Sequence, residues 1–203
     1  FLDEEAQGGG PLIDIGTHAL DLTLWMMNNY KPKYVVGNTY HKLAQTENAA
    51  NAFGPWNPAE FTVEDSAFGF IVMENGATIY LESSWALNSL DVGEAQTTLH
   101  GTQGGADMKD GLRINGEADG MMYDKTMVLE PGGVDFYDGS GDDPAYLEAK
   151  QWIESIQYDT HPVVEPEQAL VVTQILEAIY QSAKTGAPVY INQHKEELGK
   201  ILI

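Results

Sequence analysis

The sequence predicts an α+β fold, in which a largely antiparallel β-sheet is flanked by helices. Two observations support this prediction. Apolar residues recur with helical spacing at about 11–27, 144–158 and 166–185. Over about 33–129, short β-rich runs are separated by turns rich in Gly, Asn and Asp. Strands joined by short turns pair antiparallel. We expect a single domain over residues 1–203.

The first predicted helix runs from Pro11 to Met27. Proline suits the first helical position, where its missing N–H costs nothing, and the glycines at 8–10 let the chain turn tightly into the helix. One stripe of the helix carries three polar side chains and a tryptophan: Asp14, His18, Asp21 and Trp25. The other positions are mostly apolar, which is typical of a buried helix. Because buried polar groups need partners, we expect the stripe to face a polar cavity, as the wall of an active site does.

The predicted sheet begins with a strand over 33–43 and continues, after a long loop at 44–60, with strands over 63–74 and 77–87. The turn between the last two is Glu74-Asn75-Gly76, and Asn-Gly is a strong hairpin signal. Long loops in compact domains often serve as lids or binding loops. Shorter strands are predicted further along, at 94–100, 106–108, 112–115 and 121–129.

The last third of the chain is predicted to be mainly helical. Residues 131–143 form a Gly- and Asp-rich excursion before the helix at 144–158. The final long helix begins at Pro166 and ends before Gly186, because glycine suits the position after a helix and a following proline bars continuation. Residues 195–203 are expected to form a short amphipathic helix or a frayed end.

Charge and composition exclude several classes of partner. The chain has 203 residues, a formal net charge of −21 and no cysteine. This negative charge repels phosphates, so the sequence argues against nucleic acid and against an anionic membrane surface. No apolar run approaches the length that spans a bilayer. Without cysteine there are no disulfides, and a cytoplasmic location fits. The chain does not begin with Met, and we expect a fragment of a longer protein.

One segment resembles the opening helix of the second domain in the glucose–fructose oxidoreductase / inositol dehydrogenase / MocA family. It reads Gly9-Gly10-Pro11-Leu12-Ile13-Asp14-Ile15-Gly16-Thr17-His18-Ala19-Leu20-Asp21, followed by Trp25. The resemblance continues through four shorter runs, Val63-Glu64-Asp65, Glu74-Asn75-Gly76-Ala77, Ser83-Ser84-Trp85 and Glu177-Ala178-Ile179-Tyr180. It implies an α+β domain like the C-terminal domain of glyceraldehyde-3-phosphate dehydrogenase. It also implies the substrate-binding half of a two-domain, NAD(P)-dependent dehydrogenase that acts on a sugar, inositol or similar polyol.

The same resemblance implies a partner domain and a cofactor that this chain does not itself bind. In the family, an N-terminal Rossmann domain binds NAD(H) or NADP(H) and supplies a lysine from a Glu-Lys-Pro motif. The Gly-rich runs at 8–10, 101–105 and 139–141 all fail the G-x-G-x-x-G pattern. We therefore expect no cofactor-binding residue in this chain and no catalysis by the fragment alone. NAD or NADP, with the protein's own N-terminal Rossmann domain, is expected in the full-length protein.

The family motif and elementary chemistry together assign roles to the helix. Oxidation of a secondary alcohol needs a base for the hydroxyl proton, and His18 suits this role because a histidine titrates near neutral pH. Asp14, one turn earlier, is expected to hold a substrate hydroxyl and to favour the protonated imidazole. Asp21 is expected to bind another hydroxyl or to orient the imidazole, although a purely structural hydrogen bond fits it equally well. Thr17 is expected to contact substrate.

Two aromatic residues of the second hairpin strand, Trp85 and Tyr80, are further candidates for substrate binding. In the resembled family, sheet residues lie over the substrate, but the sequence leaves open which face of the sheet each residue occupies. Gly16 costs the helix about 1 kcal/mol relative to alanine, and we expect the nicotinamide-bearing domain to approach there. Trp25, considered by itself, is expected to lie in the core and not to contact a ligand.

Three alternatives remain open at this point. The spacing of Asp14, His18 and Asp21 suits a divalent metal in a hydrolase or isomerase, but such a site needs further ligands and no His-x-His motif supplies them, so no metal is expected. An NAD-dependent glycosidase-type enzyme of the same family fits the same residues. The chain also fits an oligomerisation module, because a sheet with helices on one face leaves the other face for a second copy. We expect a homo-oligomer through that sheet face.

Overall fold

The computed structural model describes residues 1–47, 54–90, 96–109, 111–126 and 144–191. The predictions for 131–143 and 195–203 lie outside the described residues, as does part of the predicted loop at 44–60. The chain divides into two compact units, one formed by residues 1–95 with 168–203 and the other by residues 96–167. The assignment of both units to a single domain stays a prediction.

Along the described residues, three helices precede seven strands, and two further helices precede the last strand. The helices are α1 (Glu4–Gln7), α2 (Pro11–Asp14), α3 (Gly16–Met27), α4 (Pro144–Tyr158) and α5 (Pro166–Thr185). The strands are β1 (Pro32–Tyr40), β2 (Ser66–Met73), β3 (Thr78–Ser84), β4 (Thr98–His100), β5 (Gly104–Asp107), β6 (Arg113–Ala118), β7 (Met121–Thr126) and β8 (Val189–Tyr190). The predicted α+β class is confirmed, and α4 and α5 have the predicted bounds.

The strands form two four-stranded antiparallel sheets. The predicted strands over 33–129 do not form one sheet. The first sheet has the order β3-β2-β1-β8 and lies in the first unit. The second has the order β4-β5-β6-β7 and lies in the second unit. In the second sheet, Arg113 and Asp107 pair across β6 and β5 through two hydrogen bonds of 2.8 and 2.6 Å. These bonds hold the pKa of the Asp107 carboxyl below its usual range.

The helices of the first unit cover one face of its sheet. Side chains alternate along each strand, so every second residue points into the core. On β2 the core residues are Ala67, Ile71 and Met73, and they pack with Leu20 and Leu24 of α3 and with α5. The intervening side chains form the open face of this sheet. The alternation of apolar and polar or aromatic residues thus sets which face of each strand packs against the helices.

Two glycines set how closely α5 approaches the sheet. Gly37 on β1 and Gly69 on β2 lie opposite each other. A Cβ at Gly37 would lie 2.7 Å from Cγ2 of Ile179, and a Cβ at Gly69 would lie 2.6 Å from its Cδ1. Real Cβ atoms do not make contacts this short, so α5 occupies the space that two side chains would need. Ser182 of α5 also accepts a hydrogen bond of 3.0 Å from the Gly37 N–H.

The predicted helix over 11–27 differs from the observed one in two respects. It is divided at Ile15, so that Asp14 ends α2 and His18 belongs to α3. It is also less buried than its apolar sequence suggests. The expectation that Trp25 lies in the core is wrong, because its side chain is 56% exposed. Within the described parts of the chain, no helix is both long and apolar enough to cross a membrane.

Candidate active site

Asp14 lies at the end of α2 and is held by an aromatic side chain from the sheet. The indole N–H of Trp85 donates a hydrogen bond of 2.9 Å to Oδ2 of Asp14. The two residues are 71 positions apart in the sequence. A bond from a neutral donor to a carboxylate is stronger than one between neutral groups, so it fixes the direction of the Asp14 side chain. It uses one of the two carboxylate oxygens, and Asp14 itself is only partly buried.

Strand β3 anchors α2 one turn before Asp14. The Ser83 hydroxyl donates a hydrogen bond of 2.5 Å to the carbonyl of Pro11. A Cβ at Gly16 would lie 3.2 Å from the Ser83 oxygen, so Gly16 lets the start of α3 close against β3. Gly16 is buried in this contact. Ser83 thus accounts for a glycine at this position within the chain itself, and the approach of another domain stays a prediction.

Trp85 is itself fixed by the residue that precedes β2. Its backbone N–H donates a hydrogen bond of 3.0 Å to the carbonyl of Asp65, and the Ser84 hydroxyl donates another of 3.0 Å to the same oxygen. The Asp65 side chain is 1% exposed. Its carboxylate accepts from the backbone N–H of Lys42 at 2.6 Å and of Ala44 at 2.9 Å. Asp65 thus joins β3 to the segment that follows β1.

The ring of Trp85 packs into an aromatic cluster formed by Phe61, His41, Trp56 and Trp85. Phe61 lies at its centre, with ring centroids 5.8, 5.6 and 6.2 Å from those of His41, Trp56 and Trp85. The indole N–H of Trp56 donates to the Ala44 carbonyl at 2.8 Å. Edge-on ring contacts of this kind favour fixed orientations. The cluster therefore presents the Trp85 N–H to Asp14 from a rigid support.

His18 and Thr17 lie in the first turn of α3. The His18 side chain is exposed and Thr17 is partly buried. The Thr17 hydroxyl donates a hydrogen bond of 2.7 Å to the carbonyl of Ile13, so its proton is already engaged within the helix. Neither Asp14 nor His18 is sealed in packing. A reacting group can therefore approach both from solvent.

Two further residues predicted to bind substrate have other neighbours. Asp21 is near Tyr30, whose pKa is raised by burial and by the negative charge of Asp21. This neighbour favours the structural interpretation of Asp21. Tyr80 is 78% exposed on the open face of the first sheet, where its ring packs edge-on against Phe70 at 5.1 Å. The structure does not bring Tyr80 together with Asp14, because Ser83 and Tyr80 occupy opposite faces of β3.

A cavity of about 470 Å³ lies close to this region but does not contain the candidate residues. Its lining includes Tyr40, Lys42, Phe68 and Leu87, and it has neither Asp14 nor His18 in its wall. The surface around Asp14 and His18 is thus open to solvent in this chain. Within the described residues, no group of three or more His, Cys, Asp or Glu side chains has an arrangement that suits a metal ion.

Three residues that organise the site were given no role by the sequence analysis: Glu64, Asp65 and Ser83. Each belongs to a run that carried the family resemblance, but the runs alone did not indicate a function. One local signal was present for the two acids. They stand between the apolar residues Phe61 and Val63 and a β-rich run, where a carboxylate is buried at a cost unless it finds donors.

Comparisons with known proteins identify the family of the chain. The family model described as "Oxidoreductase family, C-terminal alpha/beta domain" matches residues 2–191. D-glucoside 3-dehydrogenase of Escherichia coli (strain K12) is 32% identical over 193 residues, which cover 93% of this chain and 51% of that protein. The chain thus spans about half the length of this relative.

Solved structures show the same fold. An aldose-aldose oxidoreductase from Caulobacter crescentus, complexed with glycerol, matches with a TM-score of 0.65 at 21% identity, over 93% of this chain and 50% of that one. An oxidoreductase from Agrobacterium radiobacter, in complex with NAD+, L-tartaric acid and magnesium, matches with a TM-score of 0.62 at 20% identity, over 95% and 54%. With the family model matching nearly all of its length, the chain belongs to the glucose–fructose oxidoreductase / inositol dehydrogenase / MocA oxidoreductases, as the C-terminal α/β domain of that family.

Proposed function

We propose that this chain is the substrate-binding and catalytic half of an NAD(P)-dependent dehydrogenase that oxidises a secondary hydroxyl of a sugar or polyol. One observation carries the proposal. Asp14 and His18 stand four residues apart across the α2–α3 junction, neither is fully buried, and Asp14 is held by the Trp85 indole N–H. The similarity to a D-glucoside 3-dehydrogenase over most of the chain makes a glucoside the first substrate to test.

His18 acts as the base in the proposed reaction. It takes the proton of the reacting hydroxyl while the hydride leaves the same carbon, and the alcohol becomes a carbonyl. A histidine suits this step because its neutral imidazole is abundant near pH 7 and accepts a proton there. Asp14 accepts a hydrogen bond from a substrate hydroxyl and stabilises the imidazolium as it forms. Trp85 keeps the Asp14 carboxylate oriented throughout.

The cofactor is proposed to bind outside this chain. The glycines at 8–10 do not form a site for its phosphates, because the Glu64 carboxylate already accepts the N–H groups of Gly10 and Leu12 at 2.9 and 3.1 Å. A second negative group has no place there. We propose that an N-terminal nucleotide-binding half holds NAD or NADP, whose nicotinamide supplies the hydride acceptor when bound. The Agrobacterium radiobacter structure, which contains NAD+, supports this choice of cofactor. This chain alone is then inactive.

The test is turnover of the enzyme that carries both halves, with methyl β-D-glucoside and NAD+ or NADP+. His18→Ala removes the base and is expected to lower kcat by about 10²- to 10⁴-fold, with the affinity for the nucleotide unchanged. His161→Ala is the matched control, because the His161 side chain is 91% exposed and its contact is with Glu165 in the same loop. Turnover in His18→Ala equal to that of the control would exclude the proposed role.

We also propose that a second copy of the chain packs on the open face of the first sheet. That face exposes large apolar side chains on β1, β3 and β8, namely Val36, Tyr40, Tyr80 and Tyr190. Tyr40 packs edge-on against Phe68 at 5.9 Å, and Tyr34 lies 5.4 Å from Tyr190. Contiguous apolar surface of this kind on a soluble domain is typical of an interface.

A further inference from the structure

Glu64 is a buried carboxylate with three donors from two separate helices. It is 9% exposed. Its Oε2 accepts the Gly10 N–H at 2.9 Å, and its Oε1 accepts the Leu12 N–H at 3.1 Å and the Tyr180 hydroxyl at 2.8 Å. The donors lie 54, 52 and 116 residues away in the sequence. Three hydrogen bonds offset the cost of burying the charge.

These bonds satisfy the free N–H groups at the start of α2. The first N–H groups of any helix lack partners within the helix. Most helices solve this with a side chain at the residue before the first turn. Here that residue is Gly10, which has no side chain to offer. The cap comes instead from Glu64, so the direction of α2 depends on a residue far along the chain.

The two glycines before α2 leave room for this contact. A Cβ at Gly9 would overlap the Tyr180 hydroxyl, and a Cβ at Gly10 would overlap the Glu64 carbonyl. Both atoms therefore occupy the space that side chains would otherwise take. Tyr180 donates from α5, the helix that is packed against Gly37 and Gly69 of the sheet. Through Tyr180, the position of α2 is thus fixed relative to the core of the first unit.

We infer that Glu64 and Tyr180 are positioning residues for the proposed reaction. Leu12 is two residues before Asp14 in the same helical turn. The Glu64 carboxylate fixes the start of that turn, while Ser83 fixes its Pro11 carbonyl. With both anchors in place, the Asp14 carboxylate meets the Trp85 indole. Without the Glu64 anchor, α2 is free to rotate about Ser83, and Asp14 moves relative to Trp85 and His18. Displacements of about 1 Å at a reacting centre cost up to about 10²-fold in rate.

The inference rests on the proposed function, so its test has one readout in turnover and one in geometry. Glu64→Gln keeps the size of the side chain but replaces one acceptor oxygen by a donor. Tyr180→Phe removes only the hydroxyl, and it tests the same contact if Glu64→Gln fails to fold. In the enzyme with both halves, we expect Glu64→Gln to lower kcat at least tenfold on methyl β-D-glucoside, with KM changed less than threefold. Tyr180→Phe should lower kcat by a smaller factor.

The geometric readout is the indole ¹⁵N–¹H signal of Trp85, assigned by its absence in Trp85→Phe. Both positioning variants should shift this signal, because Asp14 no longer accepts the bond in the same place. Glu60→Gln is the matched control, since Glu60 is an exposed acid of the nearby 58–60 turn. Ile71→Val controls for lost stability, because Ile71 is a fully buried core residue whose aliphatic side chain can form no hydrogen bond to α2. Neither control should change kcat or shift the signal.

The outcomes separate the two proposals. A wild-type kcat in Glu64→Gln and Tyr180→Phe, or an unshifted Trp85 signal in both, would overturn the positioning role. A fall in kcat for Ile71→Val as large as that for Glu64→Gln would also overturn it, by assigning the effect to stability. Failure of the wild-type enzyme to oxidise any sugar or polyol would overturn the proposed function instead. The Trp85 signal would then still show whether Glu64 positions Asp14.

Discussion

The residue on which the candidate site most directly depends is Trp85. Its backbone N–H bonds to Asp65, its ring packs on Phe61, and its indole N–H reaches Asp14. Each contact comes from a different segment, so the indole has little freedom to turn. The Asp14 carboxylate is thereby oriented by a side chain that has no part in the proposed proton transfer.

Replacing Trp85 with phenylalanine should weaken the enzyme without unfolding it. The change keeps an aromatic ring but removes the donor to Asp14. Hydrogen bonds to charged groups contribute about 1.5–3 kcal/mol, so we expect kcat/KM to fall about ten- to a hundredfold. Trp56→Phe is the control, because its indole N–H bonds to the Ala44 carbonyl in the same aromatic cluster. An equal loss in both variants would assign the effect to the cluster rather than to Asp14.

Tyr180 gives a pH dependence of stability that can be isolated by subtraction. Burial and the negative charge of Glu64 raise the pKa of the Tyr180 hydroxyl above its usual value of 10.0. The native state therefore holds this proton more tightly than the unfolded chain does. Its contribution is fully present below about pH 10, the pKa of an unfolded tyrosine, and decreases as the pH rises further.

The difference in unfolding free energy between the wild type and Tyr180→Phe should accordingly shrink between pH 9 and pH 11. The slope should stay below the one-proton limit of about 1.4 kcal/mol per pH unit, because the ring is only partly buried. Urea unfolding of both proteins at the two pH values measures it. A difference that grows with pH would mean that the phenol is more acidic in the folded state, contrary to its contact with Glu64.

How much of the site could be read from the sequence depends on how local each contact is. Asp14 and His18 follow from helical spacing within five residues. Trp85 could be named but not oriented, because its face depends on where β3 ends. Tyr80 was grouped with it, but Tyr80 lies on the open face of β3, opposite Ser83, whereas Trp85 follows the end of the strand. Glu64 lies 54 residues from the helix it caps, and no spacing rule connects the two.

Among the elements, α5 packs closely against the sheet of the first unit, at Gly37, Gly69 and Ile179. Overpacking a close contact of this kind costs about 1–3 kcal/mol. We expect Gly37→Ala and Gly69→Ala each to lower the unfolding free energy by an amount in this range. Denaturant unfolding measures both changes.

A second substitution distinguishes the two glycines. Ile179→Val removes Cδ1 but keeps Cγ2. Gly69 faces Cδ1, so the double variant Gly69→Ala with Ile179→Val should recover part of the lost stability. Gly37 faces Cγ2, so Gly37→Ala with Ile179→Val should recover none. A double-mutant cycle gives the coupling energies. Equal coupling in both cycles would mean that α5 shifts as a whole instead of yielding at one atom.

The elements themselves were largely predictable, because the apolar periodicity of long segments such as α4 and α5 indicates where each helix begins and ends. Two features were not. The division of the first helix at Ile15 lies beside a contact that no local pattern indicates, since Ser83 bonds to Pro11 from a strand 72 residues away. The separation of the strands into two sheets depends on which strands meet, and turn signals are the same within and between sheets. Local patterns fix elements, whereas tertiary partners fix their breaks and neighbours.

At the scale of the whole molecule, the proposed dimer must bring together two chains that each carry a formal charge of −21. Like charges oppose association, and salt screens them. We therefore expect the dimer to tighten as ionic strength rises. Tyr80→Lys should break it, because the change buries an ammonium in an apolar contact even though it lowers the net negative charge.

Light scattering over a range of protein and salt concentrations tests this prediction. Tyr158→Lys introduces the same charge at an exposed tyrosine of α4 and should leave the dimer intact. A dimer that survives Tyr80→Lys would show that the open face is not the interface. A monomer at every concentration, for the wild type, would exclude the interface altogether.

Neighbouring residues of strand β3 have unrelated roles. Ser83 contacts α2 on one face of the strand, while Tyr80 and Glu82 project from the other face. Substitutions at alternate positions can therefore alter reactivity and self-association separately. An insertion or deletion of one residue in the turn at 74–76 would change both properties at once, because it moves every side chain of β3 to the opposite face of the sheet. The hairpin should accordingly tolerate changes of residue far more readily than changes of length.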